Sequence, residues 1–335
     1  MLTTYASRYG SPDELELRQV DIPPVKSDEV LVRVQGSSVN VADLFCLTGR
    51  PLILRFTSGL FRPRHKVLGR DVAGIVEAVG SEVTTFAQGD EVFGELKFGA
   101  FAEFVSAPAR RLVEKPSNLS FAEAAAVPLA GITSLQGLRD VAKVRPGQRV
   151  LINGAAGGVG TFAVQIAKAL GAEVTAVCST DSVDLVRSLG ADEVIDYTRE
   201  DFTRTGQRWD VIFDLVASQP IAKCRRVLSP DGIYVPAGGP VRTFLKPVLA
   251  SLVFRNVKMF VAKSNQKDLA ALRDMIERGQ VLPAIEQISD LGEVAEALRT
   301  RRAGHARGKT VISIGGGADE ALATGATTDT GEPKW

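Results

Sequence analysis

Glycines placed between a short apolar segment and an amphipathic one are the feature of this sequence that points most directly to chemistry. The segment Arg149–Asn153 has the pattern of a strand, and it is followed by Gly154, Ala155, Ala156, Gly157, Gly158, Val159 and Gly160. At Gly157 the missing side chain would let the backbone approach a diphosphate, and at Gly160 it would let the next helix pack on the strand. The N–H groups of that helix terminus would face the phosphates. The loop predicts a dinucleotide site; a tight turn with only a packing role is the alternative.

The end of the second strand indicates which nucleotide the site prefers. NAD sites usually carry an acid there, which bonds the ribose 2′-hydroxyl. Here the strand Glu173–Cys178 is followed by Ser179 and Thr180, whose small hydroxyl side chains leave room for a 2′-phosphate and can donate hydrogen bonds to it. Tyr197, just after the third strand, could add another donor. This pattern favours NADPH as the cofactor.

Charged residues near this strand support or complicate that assignment. Arg187 or Lys309 could supply positive charge for the 2′-phosphate. Asp181 could instead serve a ribose hydroxyl, although we favour its role as the N-cap, just before Ser182, of the helix expected near Ser182–Leu189. The sequence therefore predicts NADPH while leaving one acid nearby.

Alternating strands and helices would hold the loop in place. Apolar residues with helical spacing predict one buried helix face; they are Val159, Phe162, Ala163, Ile166, Ala167 and Leu170. Further strands are expected at Glu173–Cys178, Glu193–Asp196, Trp209–Val216 and Gly232–Pro236, with helices near Ser182–Leu189 and Ile221–Leu228. This alternation predicts a parallel sheet covered on both faces, within a domain of residues 121–257.

The flanking residues predict a second, β-rich domain. Short strands separated by glycine turns are expected within residues 1–120, at Glu29–Val34, Val72–Val79, Glu91–Glu95 and Phe101–Val105. After about residue 258 we expect a strand, helices at Lys267–Arg278 and Leu291–Arg302, and a final strand at Thr310–Ile314. Residues 258–314 would then return to the first domain, and the Gly-, Ala- and Thr-rich residues 315–335 are predicted to be disordered.

Composition and charge argue against several other classes of protein. The 335 residues carry 40 basic and 39 acidic side chains, so no general attraction for nucleic acid or an anionic membrane is expected. No apolar run approaches the ~20 residues of a membrane span, and no signal peptide is recognisable. Three separated cysteines, Cys46, Cys178 and Cys224, indicate neither a disulfide framework nor a cysteine-rich zinc site. We therefore expect a protein of the reducing cytoplasm.

Up to about residue 314 the sequence resembles the medium-chain dehydrogenase/reductase superfamily, and most of all its zinc-independent quinone oxidoreductase branch. The motifs that carry the resemblance occur in the family's order; they are Val67–Gly80, Ala124–Thr133, Asn153–Gly160 and Gly304–Ile312. The resemblance implies an α/β protein with a GroES-like β-rich catalytic domain, a Rossmann domain built on a doubly wound parallel sheet, and a cleft between them.

Departures from the zinc-containing members of this superfamily predict a site without metal. By resemblance, Asn40, Arg70 and Asp71 stand where zinc alcohol dehydrogenases carry a cysteine, a histidine and a glutamate. An amide and a guanidinium are poor zinc ligands. The two histidines, His65 and His305, are expected on the surface or in loops. Arg70 and Asp71 are expected to pair with each other and hold their loop.

Without a Lewis acid, the acceptor must itself be electrophilic, which favours quinones and α,β-unsaturated carbonyl compounds. Asn40 would hydrogen-bond the developing oxyanion or orient the substrate. By resemblance, Thr133 would hold the nicotinamide carboxamide, and further cofactor contacts would come from the backbone near Val216, Gly238, Phe260, Val261 and Ala262. No proton donor is evident, so solvent could supply the proton.

Two other functions stay open at this point. One is a zinc-free NADP-dependent alcohol dehydrogenase, and the other is an NADPH-binding structural or regulatory protein without catalysis. The segment Leu52–Lys66 would form an apolar lip of the substrate cleft, although core packing or a dimer contact would explain its composition equally well. By resemblance, the protein is expected to form a homodimer, with pairing of Rossmann edge strands as one arrangement.

Overall fold

Two large sheets organise the chain, which the computed structural model describes over residues 1–52, 55–239, 245–303 and 306–315. The strands are β1 Leu2–Ala6, β2 Leu15–Gln19, β3 Glu29–Ser38, β4 Asp71–Val79, β5 Glu91–Glu95, β6 Phe104–Pro108, β7 Leu112–Glu114, β8 Arg149–Asn153, β9 Glu173–Cys178, β10 Glu193–Asp196, β11 Trp209–Asp214, β12 Leu228–Pro236, β13 Ile285–Asp290 and β14 Lys309–Ser313. The α-helices are α1 Val41–Thr48, α2 Arg55–Ser58, α3 Phe121–Ala125, α4 Pro128–Leu135, α5 Gly158–Ala169, α6 Val183–Ser188, α7 Ile221–Arg226, α8 Leu245–Val253, α9 Gln266–Glu277 and α10 Val294–Ala303. The tail predicted to be disordered lies outside the described residues, apart from Gly315.

Five parallel strands form one sheet, in the order β10-β9-β8-β11-β12. The chain starts at the centre with β8, moves to one edge and then crosses to the other side through β11. This is the doubly wound order, with its switch point between β8 and β11. Val150 and Ile152 belong to one apolar cluster, whereas Leu151 belongs to another. Both faces of the sheet are therefore buried, as the alternating pattern predicted.

Helix α5 covers one of these faces and fixes the loop that precedes it. Phe162, Ala163, Ile166 and Ala167 are fully buried, and Val159 packs at the edge of the same cluster. Burial of a large apolar side chain stabilises a fold by about 1.5–3 kcal/mol. The predicted helix face is thus confirmed, and the N-terminus of α5 is held at the carboxyl end of β8.

The second large sheet has the order β13-β14-β3-β4-β5-β7, and β6 pairs with β3. Its longest strand, β3, directs Val30, Val32 and Val34 toward an apolar core. Val72 of β4 and Val92 of β5 belong to the same core. The alternation of valines along Glu29–Val34 predicted this inward face. Strand β6 begins three residues later than expected, at Phe104.

The end of the chain returns to this second sheet through β14, which pairs antiparallel with β3. Strand β13, beside it, was not expected, because Ile285–Asp290 is an edge strand with mostly exposed residues and no apolar alternation. The strand expected just after residue 258 is absent from the described residues 258–265. Helix α9 packs its Leu269 and Leu272 into the cluster that covers the parallel sheet. The return to the second sheet therefore begins with β13.

Among the described residues, no helix combines the length and apolar character needed to cross a membrane. Cys46, Cys178 and Cys224 are free thiols, and the last two are buried.

Candidate functional site

The carboxyl ends of four parallel strands meet at one edge of the five-stranded sheet. The register places Asn153 at the end of β8 beside Val177 of β9 and Asp214 of β11, and Asp214 beside Pro236 of β12. The loops that follow these strands are therefore neighbours at the switch point, which is where doubly wound sheets bind ligands. Most of the cofactor residues predicted from the sequence fall in these loops.

The glycine loop after β8 turns sharply and leads straight into α5. Gly154 adopts a φ of +84°, and the Gly157 N–H donates to its carbonyl oxygen at 3.1 Å. A Cβ atom on Gly160 would lie 2.1 Å from the same oxygen, so only glycine fits there. On Gly157 the nearest neighbour of a Cβ atom would be 3.5 Å away. With Ala155 and Ala156 buried behind it, the loop forms an open cradle of backbone N–H groups, which suits a diphosphate.

Three hydroxyl side chains border the end of β9. The Tyr197 N–H donates to the Cys178 carbonyl oxygen at 3.0 Å, which holds the loop after β10 against the end of β9. The Tyr197 side chain is exposed, and the Ser179 and Thr180 side chains lie at the start of the adjoining 3₁₀ turn. The structure thus brings together the backbones of the three residues that the sequence singled out for a 2′-phosphate.

An acid that the sequence did not reveal lies beside these hydroxyl groups. Asp196, the last residue of β10, accepts hydrogen bonds from Thr180 Oγ1 at 2.5 Å and Thr198 Oγ1 at 2.7 Å. These bonds lower the pKa of Asp196, so its carboxylate is charged at neutral pH. Arg199 Nε lies 3.4 Å away and offsets part of that charge. The signal was the β9–β10 register, which sets Asp196 opposite Cys178.

Arg307 reaches the same region from the far end of the chain. Its Nη2 donates to the Asp181 carbonyl oxygen at 2.6 Å, so an exposed cation lies beside the end of β9. Asp181 itself lies inside the 3₁₀ turn Thr180–Ser182, and α6 begins only at Val183. The expectation that Asp181 caps a helix before Ser182 is therefore wrong. Arg307 was missed because no local pattern links it to β9.

A second arginine approaches the N-terminus of α5. Arg301 Nη2 lies 3.2 Å from the point that a Cβ atom on Gly158 would occupy. Gly158 and Val159 form the first turn of that helix, whose leading N–H groups have no acceptor within the helix. A guanidinium beside such N–H groups adds to their attraction for phosphate.

Thr133 and Val216 lie toward the same edge. Thr133, on α4, donates its hydroxyl proton to the Leu129 carbonyl oxygen at 2.7 Å, and its oxygen keeps lone pairs for an amide donor. Val216 lies two residues beyond the end of β11 and exposes about two fifths of its surface. Both placements suit contact with the nicotinamide half of a dinucleotide.

Gly238 and Phe260–Ala262 complete the set of predicted cofactor residues. A Cβ atom on Gly238 would lie 2.1 Å from the Leu215 carbonyl oxygen, so the loops after β11 and β12 pass in direct contact. Phe260 packs beside Gly137, with Ala262 partly buried next to it, whereas Val261 is 73% exposed. This segment begins beside the carboxyl end of β12, since the Lys258 N–H donates to the Tyr234 carbonyl oxygen at 2.9 Å.

Asn40, Asp71 and Lys309 are brought together by the pairing of three antiparallel strands. Ser38, at the end of β3, pairs with Asp71 at the start of β4 and with Val311 of β14. Asn40 therefore leaves β3 at the same end of the sheet at which β14 begins with Lys309. All three side chains are almost completely buried, Asp71 at 0%, Lys309 at 1% and Asn40 at 4% exposure. We call these three residues the Asn40 cluster.

Hydrogen bonds within the Asn40 cluster fix the orientation of the amide. Lys309 Nζ donates to Asn40 Oδ1 at 2.6 Å and to Asp71 Oδ2 at 3.3 Å. Asn40 Nδ2 donates to Asp71 Oδ2 at 2.9 Å and to the Ser38 carbonyl oxygen at 3.2 Å. Both amide N–H bonds are thus directed to protein acceptors. Donation from Asn40 to a substrate oxygen, as the sequence suggested, would require one of these bonds to break.

Lys309 lies elsewhere than expected. The sequence suggested that it could bind a 2′-phosphate, but its ammonium is buried against Asn40 and Asp71, and Arg307 takes the place beside the end of β9. The residue before Lys309 contacts the glycine loop, because the Gly308 N–H donates to the Ala156 carbonyl oxygen at 2.8 Å.

Arg70 does not pair with Asp71, which corrects another expectation. Its guanidinium forms an ion pair with Glu95, with Nε 3.1 Å from Oε1, because Glu95 of β5 lies opposite Asp71 in the register and reaches the same side. Nearby, Asp43 accepts a hydrogen bond from the Asn40 backbone N–H at 2.9 Å. Burial raises the pKa of Asp43 to about 7. The surroundings of the Asn40 cluster therefore hold several ionisable groups away from water.

The remaining candidates lie outside this site. His65 is exposed and stacks on Phe98 with 4.3 Å between ring centroids, whereas His305 lies outside the described residues. Phe56 and Phe61 are 75% and 85% exposed, so the segment Leu52–Lys66 does not use them as core. Among the described residues, no group of three or more His, Cys, Asp or Glu side chains is placed to hold a metal ion.

Two family descriptions match the chain. Residues 26–117 match the alcohol dehydrogenase GroES-like domain, which includes most strands of the second sheet. Residues 189–312 match the family described as zinc-binding dehydrogenase. The two matches include strands of both large sheets and the segment that carries Lys309.

Individual relatives and solved structures agree with these matches. The chain is 35% identical to 2-methylene-furan-3-one reductase of Solanum lycopersicum, over 91% of this chain and 76% of that protein. It is 34% identical to a chloroplastic NADPH-dependent alkenal/one oxidoreductase of Arabidopsis thaliana, over 91% of this chain and 78% of that protein. The quinone oxidoreductase structure from Coxiella burnetii superposes with a TM-score of 0.84 at 29% identity, over 94% of this chain and 99% of that chain.

Proposed function

This chain belongs to the quinone oxidoreductase-like branch of the medium-chain dehydrogenase/reductase superfamily, and from that premise we propose that it reduces quinones or α,β-unsaturated carbonyl compounds with NADPH. The protein is an oxidoreductase that uses a nicotinamide cofactor. When bound, the reduced nicotinamide supplies a hydride to the acceptor, and solvent supplies the proton. We propose both the class of acceptor and the preference for NADPH over NADH.

One observation carries the proposal. The two-residue segment Gly308-Lys309 contacts the glycine loop on one side and Asn40 on the other, through the 2.8 Å bond from Gly308 N to Ala156 O and the 2.6 Å bond from Lys309 Nζ to Asn40 Oδ1. A dinucleotide whose diphosphate lies on the loop would therefore lie close to the Asn40 cluster. Binding and chemistry are served by adjoining parts of one site.

The residues on this path fit a dinucleotide. The cradle at Gly157, which a Cβ atom would fill, suits the diphosphate, with Arg301 beside it. Thr133 and the backbone near Val216 and Gly238 would hold the nicotinamide end. Phe260, Val261 and Ala262 would line the same half of the cofactor.

We propose that the reaction needs no zinc. Asn40 and Arg70 stand where zinc enzymes of the superfamily carry ligands, and neither an amide nor a guanidinium is a good ligand for that ion. In addition, the Asn40 oxygen already accepts from the Lys309 ammonium, and Arg70 already pairs with Glu95. A conjugated carbonyl or quinone suits such a site, because it accepts a hydride without prior activation by a metal. Stoichiometric zinc in the purified, active protein would contradict this.

Turnover of conjugated acceptors is the first expected result. NADPH oxidation, followed by its absorbance at 340 nm, should proceed with quinones and enones. The kcat/KM should be at least about 100-fold lower for saturated ketones, since these lack the conjugated β-carbon whose electrophilicity makes an activating metal unnecessary. Faster NADP⁺ reduction by simple alcohols would favour an alcohol dehydrogenase. Tight NADPH binding without turnover of any acceptor would favour a non-catalytic role.

A preference for NADPH over NADH is expected to depend on Arg307. Its guanidinium donates to the Asp181 carbonyl oxygen in the turn Thr180–Ser182, where a charge-assisted hydrogen bond to a 2′-phosphate would contribute about 1.5–3 kcal/mol. Arg307→Ala should therefore raise the Kd for NADPH about tenfold or more and leave the Kd for NADH nearly unchanged. The exposed Arg110, which pairs with Asp28 on the other sheet, provides the matched control Arg110→Ala.

Isothermal titration of both variants with each nucleotide measures these constants. If the wild-type protein binds NADH more tightly than NADPH, Asp196 rather than Arg307 determines the preference. In that case the assignment of NADPH is wrong, while the reductase assignment stands or falls with the acceptor assay.

We also propose a homodimer and a reducing, cytoplasmic location. β12 is an edge strand of the parallel sheet, and α8 exposes Leu249, Leu252 and Val253. The three free thiols suit a reducing compartment. Light scattering coupled to size exclusion gives the oligomeric state.

A further inference from the structure

We propose that Lys309 is a positioning residue of the reduction: its buried ammonium orients the Asn40 side chain and keeps a fixed positive charge beside the acceptor. This inference rests on the proposed function, because it assigns a role within the same site.

The chemistry of the two side chains forces their arrangement. An ammonium can only donate hydrogen bonds and a carboxylate can only accept them. With Lys309 Nζ 2.6 Å from one end of the Asn40 amide and Asp71 Oδ2 2.9 Å from the other, the amide oxygen must face the lysine and the amide nitrogen must face the aspartate. Replacement of the ammonium by an uncharged group would remove the part of this constraint that acts on the amide oxygen.

Lys309 can still donate a hydrogen bond, whereas Asn40 cannot, because both of its N–H bonds already have acceptors. The two Asn40 N–H bonds are directed to Ser38 and Asp71. An ammonium has three N–H bonds, and those to Asn40 and Asp71 account for two. Within the part of the chain that the structure describes, the cluster therefore retains one donor and a positive charge, and both are properties of Lys309.

Burial makes that charge effective. At 1% exposure, Lys309 interacts with its neighbours through a medium of lower effective dielectric constant than water, so its field at a nearby oxygen is stronger. The charged groups that face it are Asp71 from β4, Asp43 from α1 and Arg301 from α10. Burial lowers the pKa of Lys309, while the Asp71 carboxylate acts in the opposite direction.

The lysine lies between the cofactor cradle and the amide. Its Cδ atom is 2.9 Å from the point that a Cβ atom on Gly158 would occupy, and its Nζ reaches Asn40. When a hydride adds to the β-carbon of an unsaturated carbonyl compound, the displaced electron pair moves to the carbonyl oxygen, which becomes negative until the α-carbon takes a proton from solvent. A fixed positive charge lowers the energy of that oxygen.

Three variants test the inference, namely Lys309→Met, Lys309→Arg and the double variant Asp71→Asn with Lys309→Met, and the single variant Asp71→Asn serves as the reference for the double variant. Methionine keeps the apolar length of the stem without the charge, and the double variant avoids a buried unpaired carboxylate that could prevent folding. We expect both uncharged variants to lower kcat about 100-fold, the usual effect of a lost oxyanion-stabilising group. NADPH affinity should stay within about threefold of wild type, since the loop is unchanged.

The pH dependence of kcat distinguishes an effect of the positive charge on Lys309 from a purely structural role of its side chain. In the wild type, kcat should fall as the pH rises through the pKa of Lys309, below the ordinary lysine range, because the amine form carries no charge. Lys309→Arg should keep most of the activity and lose this alkaline decline, because a guanidinium remains charged.

The free energy of unfolding of the cofactor-free protein, measured as a function of pH, tests the inference without an activity assay. Because the pKa of Lys309 is lower in the folded state, that state releases its proton first. Stability should therefore rise with pH between the folded pKa and the ordinary value, and this rise should be absent from Lys309→Met.

Two results would overturn the inference. One is a folded double variant whose kcat stays within about threefold of that of Asp71→Asn alone. The other is a large loss of NADPH affinity in Lys309→Met with kcat unchanged at saturation, which would make the lysine a phosphate ligand. A wild-type protein that binds NADPH and reduces no acceptor would instead refute the proposed function, independently of these variants.

Discussion

Replacement of Asp71 by alanine should destabilise the protein by about 3–5 kcal/mol, because it leaves a buried ammonium without its counter-charge. Asp71 is fully buried, and its carboxylate accepts four hydrogen bonds from the described residues. Its Oδ2 atom accepts from Ser38 Oγ at 2.6 Å, from Asn40 Nδ2 and from Lys309 Nζ, and its Oδ1 accepts from Leu129 N at 2.9 Å. Urea denaturation of the cofactor-free variant measures the loss.

A second substitution tests the cause of that loss. Addition of Lys309→Met to Asp71→Ala should recover part of the lost stability, since it removes the uncompensated charge. The exposed pair Asp28–Arg110 offers a control, because Asp28→Ala should change stability by less than about 1 kcal/mol. An Asp71→Ala variant as stable as the control would show that the buried ion pair does not form.

Gly157→Ala should leave the protein folded and weaken NADPH binding at least about tenfold, which corresponds to 1.4 kcal/mol or more. The nearest atom to a Cβ on Gly157 would be 3.5 Å away, so the methyl group has room in the protein alone. It would occupy the space in front of the α5 N-terminus, where the diphosphate is proposed to lie. Stability should fall by no more than about 1 kcal/mol, the usual effect of alanine at a helix N-cap.

Two other glycines calibrate this result. Gly292→Ala should change neither property, because no atom lies within 4 Å of its Cβ position. Gly160→Ala should impair folding as well as binding, because its methyl group would lie 2.1 Å from the Gly154 oxygen. If Gly157→Ala binds NADPH as tightly as wild type, in fluorescence titration, the diphosphate does not lie on this loop.

Local patterns predicted the parallel sheet and its loop well. Arg149–Asn153, Glu173–Cys178 and Glu193–Asp196 were expected as strands and are strands with those bounds. Each is a short apolar run between turn residues, and the helix after the first has a clear apolar stripe. Such features depend on neighbours within one or two turns of chain, so a single sequence contains them.

Long-range pairing accounts for what the sequence did not reveal. Arg70 was expected to pair with its neighbour Asp71, yet it pairs with Glu95, which the β4–β5 register brings to its side. Asp196 reaches Thr180 only because β10 lies beside β9. Lys309 was recognised as important, but its burial beside Asn40 follows from a strand pairing that no local pattern encodes.

The pairing of β14 with β3 also determines the order in which the parts of the site form in a newly made chain. Asn40 and Lys309 are 269 residues apart in sequence, whereas the five parallel strands lie within one continuous stretch. Domains generally fold as they leave the ribosome, N-terminal parts first. The nucleotide loop can therefore form during translation, but Asn40 and Asp71 have no ammonium partner until the last strand is synthesised. A nascent chain acquires its cofactor cradle before its charge cluster.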